Sequence, residues 1–156
     1  MNAYEIPVKW DIQRMIPEDL EEILSIETSS SLTPWSKNMF LKELENRLSH
    51  CFVIKTKALP HPALIGFICF RNVTGESELL NIGVHPDYRQ MGVGKALMEF
   101  YITFCSQMGI KRYYLEVNSS NRSAIRLYQH FSYHSSGLRK KFYQGKFDAL
   151  LMTKEG

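Results

Sequence analysis

The chain has 156 residues, of which 44% are hydrophobic, 22% charged and 12% aromatic, and its net charge is +3. That is the size of one ordered domain with a sizeable core, and the charge is too mild to mark a nucleic-acid binder. Cys51, Cys69 and Cys105 form no CxxC pair and read as reduced core thiols, the five histidines lack metal-ligand spacing, and no signal core or membrane-length run is present. The expectation is a soluble, cytoplasmic protein with no metal, no membrane and no nucleic-acid partner.

Ile12–Met15 reads as a first strand. Pro17 can open a helix, with Glu18 and Asp19 favourable in its first turn. Leu20, Ile23, Leu24 and Glu27 follow at helical spacing and carry that helix to about Glu27. The polar run Thr28–Thr33 reads as a loop. Ser36 is a candidate N-cap for a second helix bearing Phe40, Leu41, Leu44 and Leu48. Cys51–Lys55 and Leu64–Phe70 read as strands, Asn72–Gly75 as a turn, and Leu79–Val84 as a strand that Pro86 ends.

Val93, Ala96, Leu97, Phe100, Tyr101, Phe104 and Met108 form one broad apolar stripe, and Gly109 closes this long helix. Lys111–Val117 alternates as a strand. Ala124, Leu127, Tyr128 and Phe131 mark a short helix, and Tyr133–Thr153 reads as two strands joined around Gln144-Gly145. The order β-α-α-β-β-β-α-β-α-β-β predicts a single α/β domain over residues 1–156. Its mixed central sheet carries helices on both faces, with a right-handed crossover through the long helix.

The segment Arg89-Gln90-Met91-Gly92-Val93-Gly94-Lys95 lies between strand and long helix. Two glycines there can make a plain tight turn. They can equally aim backbone N–H groups at a phosphate, with Arg89 and Lys95 adding positive charge. The segment is neither a P-loop nor a dinucleotide fingerprint.

At these residues the chain resembles the GNAT acyltransferases, whose R/Q-x-x-G-x-G/A signature it carries. Asn81–Arg89, Leu115-Glu116-Val117, Ser120-Asn121, Ala124-Ile125, Leu127-Tyr128, Pro34-Trp35-Ser36 with Phe40, Glu43, Leu44 and Asn46, and Ala149–Met152 are similar to the RimI-type branch of protein N-terminal acetyltransferases. The resemblance implies a GNAT fold in which a splayed parallel strand pair binds acetyl-CoA. It also implies a protein N-terminus as acceptor, the N-terminal alanine of a small-subunit ribosomal protein.

By the same resemblance Ile82, Gly83, Val84, Arg89, Gln90, Met91, Gly92, Val93, Gly94, Lys95, Asn121 and Tyr128 contact acetyl-CoA. Glu116 is the general base, Tyr128 the general acid, and the backbone N–H of Val84 or a neighbour the oxyanion donor. Trp35 and Tyr143 line the acceptor channel. Each has a plainer reading: Glu116 as a carboxylate paired with Arg112 or another cation, Tyr128 as a core tyrosine, Asn121 as an N-cap, and Trp35 as a plug between helices. Glu78 is the reserve base. Gly83, where the branch often has alanine, would let the cofactor approach more closely. Departures from the branch are Asn118 for an arginine, Ser132-Tyr133 for Gly-Phe, and Phe142 for a tyrosine. A GNAT acting on a small amine, a non-catalytic acyl-CoA-binding module, and a scaffold using the turn for another phosphate are the alternatives.

Overall fold

The computed structural model describes residues 10–57, 61–143 and 145–156. Among them, β1 (Trp10–Arg14) leads through a 3₁₀ turn (Pro17–Asp19) to α1 (Leu20–Ser30) and α2 (Lys37–Glu45). Then follow β2 (Ser49–Thr56), β3 (Leu64–Val73), β4 (Glu76–Val84), α3 (Val93–Gln107), β5 (Arg112–Asn118), α4 (Arg122–His130), β6 (His134–Tyr143) and β7 (Phe147–Glu155). This is the element order the sequence predicts. The strands form one sheet in the order β1-β2-β3-β4-β5-β7-β6. The β4–β5 pair is parallel and the other neighbours are antiparallel.

Strand alternation divides the core between the two faces of the sheet. Phe52, Ile54, Ile65, Ile68, Phe70, Tyr113, Leu115 and Val117 pack with Leu97, Met98 and Tyr101 of α3 and Tyr128 of α4. Cys51, Val53, Phe67 and Cys69 point the other way, onto Leu20, Ile23 and Ile26 of α1 and Phe40 of α2. The three cysteines are free and buried.

Several boundaries move, each for a local reason. Helix α1 runs to Ser30, with the Ser31 N–H still bonded to the Glu27 carbonyl, and its polar end folds its hydroxyls back onto its own turns. The Thr28 hydroxyl donates to the Leu24 carbonyl at 2.8 Å, and those of Ser29 and Ser30 to the Ile26 carbonyl. Helix α2 starts at the Ser36 cap, whose Oγ accepts from the Met39 N–H, but it stops at Glu45, leaving Leu48 exposed. The predicted Asn72–Gly75 turn tightens to Thr74-Gly75, with φ of 41° and 78°, so both flanking strands are longer than expected.

One irregularity positions the site. Pairing of β4 with β3 jumps from Leu79–Phe70 to Asn81–Cys69, so Leu80 is an extra residue. The β4–β5 ladder ends at the same place, on the pair Leu79–Leu115. A bulge bends its strand and increases the local twist. Beyond Leu79, β4 stays with β3 while β5 continues beside β7. The sheet is therefore split, as the resemblance implies.

Candidate active site

The split opens a gap reached from both faces of the sheet. Its inner part is a cleft of about 210 Å³ lined by Glu27, Trp35, Asn81, Glu116, Asn121 and Tyr128, among others. A second cleft of about 540 Å³ continues toward α3, and Ser30, Ile82, Asn121 and Tyr128 line both.

The α3 end is made of backbone. Gly92 takes φ 85°, ψ 9°, and Gln90 also has positive φ at 61°. Left-handed residues interleaved in a turn aim successive N–H groups to one side. The Gly92 carbonyl accepts from the Ala96 N–H at 2.9 Å, so the Val93, Gly94 and Lys95 N–H groups precede the first intrahelical bond. Gly92 needs its conformation and not its small size, since an added Cβ would meet nothing within 4 Å. Gly94 has no such φ, and a Cβ there would touch Leu127 Cδ2 at an ordinary 3.4 Å.

Arg89 lines this cleft, and its Nη2 donates to the Ser30 hydroxyl at 2.9 Å, tying the turn to α1. Ile82, Gly83, Val84, Gln90, Gly92, Val93 and Gly94 line it as well. Met91 and Lys95 are exposed and are not among the lining residues. Gly83 also meets a packing constraint. A Cβ there would lie 2.6 Å from Phe67 Cε1 and 3.2 Å from Ile26 Cγ2. The absent side chain makes room for Phe67 and Ile26 of the α1–α2 core.

Side chains build the other end. Tyr128, 6% exposed, reaches the gap from the α4 face, its ring centroid 6.0 Å from that of Tyr133. Asn121 caps α4, its Oδ1 accepting from the Ala124 N–H at 3.3 Å, and it also lines both clefts. Trp35 is both plug and wall: its ring packs on Phe40 at 5.1 Å while the residue lines the inner cleft. The side chain of Tyr143 lies outside the described residues; its backbone pairs with Phe147.

Glu116 lies opposite in alternation to buried Leu115 and Val117, as the sequence indicates. Its cation is Arg139 of β6, with Nη2 at 3.2 Å from Oε1, whereas Arg112 pairs with Glu155. Glu78, the reserve base, lines a separate groove on which Glu116 also borders, and not the inner cleft.

Glu27 is the residue sequence reasoning missed. It sits on α1 at 2% exposure and lines the inner cleft. Its Oε2 accepts from Asn81 Nδ2 and from the Trp35 backbone N–H. Burial pushes its carboxyl above the ordinary value, and the Asn81 and Trp35 bonds oppose the shift. The Leu80 bulge is what delivers Asn81. Leu80 packs on the α1–α2 side, Ile82 and Val84 on the α3 side, and Asn81 reaches α1. Two consecutive residues thus share a face, which a regular strand forbids. The signal for Glu27 was its place, seventh after Leu20 on an otherwise apolar stripe.

The inner cleft is acidic. Glu27 and Glu116 line it, and among the described residues no Lys, Arg or His does. A cleft of this kind on a chain of net charge +3 suits a small cation. Among the described residues no group of three or more His, Cys, Asp or Glu could hold a metal, and no helix is long and apolar enough to cross a membrane.

A sequence model of the acetyltransferase (GNAT) family matches residues 18–133. The chain is 33% identical over 143 residues to a Bacillus subtilis protein provisionally named a ribosomal protein bS18-alanine N-acetyltransferase, covering 90% of this chain and 92% of the relative. It is 30% identical over 138 residues to the Escherichia coli K12 ribosomal protein bS18-alanine N-acetyltransferase, covering 86% and 90%. The crystal structure of the ribosomal-protein-S18-alanine N-acetyltransferase from Escherichia coli superposes with a TM-score of 0.85 at 28% identity, covering 94% of each chain. With the split sheet, the glycine turn and the family match in agreement, the chain belongs to the GNAT family and is an N-acetyltransferase.

Proposed function

We propose that this protein transfers the acetyl group of acetyl-CoA to a protein N-terminal amine, with an N-terminal alanine of a ribosomal protein as acceptor. The observation that carries the reading is the acidic inner cleft opening directly into the backbone-built cleft, with Tyr128 on the shared wall. An ammonium suits the first and a pyrophosphate the second. The acceptor follows from relatives named for bS18-alanine acetylation. Such an acceptor goes with a cytoplasmic enzyme, and residues 1–156 read as one catalytic domain.

The fit for acetyl-CoA rests on this chain's own atoms. The N–H groups opening α3 would hold the pyrophosphate, and the β4 edge from Ile82 to Val84, unpaired with β5, would pair with the pantetheine amides. Acetyl-CoA supplies an activated acyl group and a thiolate leaving group. Glu116 takes the proton of the attacking amine, the backbone N–H of Val84 or a neighbour faces the developing oxyanion, and Tyr128 gives its phenol proton to the departing sulfur. The Arg139 partner holds the Glu116 carboxylate in place.

The test is thiol release from acetyl-CoA with alanine-initiated peptides against a panel of small amines. Turnover with the peptides is expected; turnover on small amines alone would move the protein to the small-molecule acetyltransferases. Glu116→Gln is expected to lower kcat on the order of 10²–10⁴-fold, and near-normal turnover would remove it as the base.

A further inference from the structure

The two carboxylates of the inner cleft differ in how their charge is met. Glu116 is 27% exposed and has a guanidinium at 3.2 Å. Glu27 is 2% exposed, and its hydrogen-bond donors are an amide and a backbone N–H, both neutral. Both donors bond to Oε2, and among the described residues Oε1 accepts no hydrogen bond. A buried carboxylate with no counterion is costly unless an entering group supplies the charge.

We infer that Glu27 Oε1 is the seat of the acceptor's ammonium, which supplies the cation this carboxylate lacks. The residue is built for that task. Asn81 holds it from the splayed part of β4, and the Trp35 N–H holds it from the α1–α2 loop. With Oε2 fixed by two donors, the carboxylate plane is fixed, so Oε1 is presented and not free to turn away. The bulge that opens the cleft also brings in Asn81, so opening the gap and orienting the seat have one structural cause. Glu27 forms no covalent bond and removes no proton; it binds the amine as a cation, and Glu116 remains the proton acceptor. The inference rests on the reading that the cleft takes an amine.

Glu27→Gln is the discriminating variant. A glutamine can accept the Asn81 and Trp35 bonds through its carbonyl oxygen, but it then presents an NH₂ group to the ammonium. The measurement is calorimetric affinity, with CoA present, for an alanine-initiated peptide and for the same peptide acetylated at its N-terminus. Wild type is expected to favour the free amine by about 10–100-fold, the range for a hydrogen bond to a charged group. Glu27→Gln should erase that preference while leaving acetyl-CoA KM unchanged and the melting midpoint unlowered, and Glu116→Gln should retain it.

A preference kept by Glu27→Gln, or lost instead in Glu116→Gln, overturns the inference. So does wild type binding both peptides equally. A Glu27→Gln protein with a lower midpoint and weakened acetyl-CoA binding would make the residue a latch and no seat. If wild type acetylates only small amines, the peptide reading fails on its own. The same three proteins with alaninamide and N-acetylalaninamide then decide the seat.

Discussion

At the α3 end of the gap, the surface is main chain: the N–H groups opening the helix, the left-handed Gly92 and the bare edge of β4. At the α1 end it consists of side chains drawn from separate elements, Glu27 from α1, Asn81 from β4, Glu116 from β5 and Tyr128 from α4. A main-chain site depends on backbone conformation and tolerates many side chains. A side-chain site depends on identity and on the elements that aim each group. Mutations at the two ends should therefore fail in different ways.

The largest effect is expected at the side-chain end. Tyr128→Phe removes one hydroxyl; turnover should fall on the order of 10²-fold or more with acetyl-CoA affinity kept, as steady-state kinetics would show. An equal loss of both would assign the tyrosine to packing. At the main-chain end, Gly92→Val should weaken acetyl-CoA binding by roughly 5–30-fold, the cost of about 1–2 kcal/mol for a left-handed residue. Gly94→Ala should change it only a few-fold, because its Cβ makes an ordinary contact. Equal sensitivity at both positions would break the distinction between conformation and space.

Gly83→Ala lies on β4 but should act on the other side of the sheet. Its Cβ would crowd the fully buried Phe67, so a loss of about 1–3 kcal/mol in denaturant unfolding is expected, with little change in acetyl-CoA affinity.

The smallest effect is on stability at Glu27. Burial raises its folded carboxyl above the ordinary 4.5, so ionisation is costlier in the folded chain. Its stabilising contribution is complete below the ordinary value and is lost as pH rises through the raised one. Glu27→Gln should thus melt slightly higher than wild type at neutral pH, and the gap should close as pH falls below 4.5. A gap that widens in acid would reverse the sign.

The same contrast explains what could be read from the sequence. Main-chain sites leave local traces, because only particular residues allow the backbone to turn: Gly92 and Gly94 before an amphipathic stripe marked the α3 end. Ser36 and Asn121 announced two helix starts for the same reason. Glu116 and Tyr128 were legible through the family resemblance, and alternation correctly set Glu116 against its buried neighbours. Helical spacing places Glu27 on the apolar stripe of α1, and a carboxylate there asks for a partner. Helix α1 outruns its apolar stripe through a Thr-Ser-Ser run whose hydroxyls bond its own carbonyls, which apolar periodicity does not register. Arg139 is two strands from Glu116 across β7, a distance that only register reveals. The packing constraint on Gly83 comes from the Phe67 ring opposite it on β3, a cross-strand neighbour that only register reveals.

The extra residue at Leu80 gives chain length a role in this site that side-chain chemistry cannot take. Removing one residue there would restore strict alternation, with Asn81 still on the α1 face, and allow β4 to continue zipping onto β5. Every residue proposed for the chemistry would survive that deletion, and the gap between them would not. Duplication and loss of single codons, more than substitution, is then the kind of change that makes or erases this cavity in a sheet of otherwise ordinary strands.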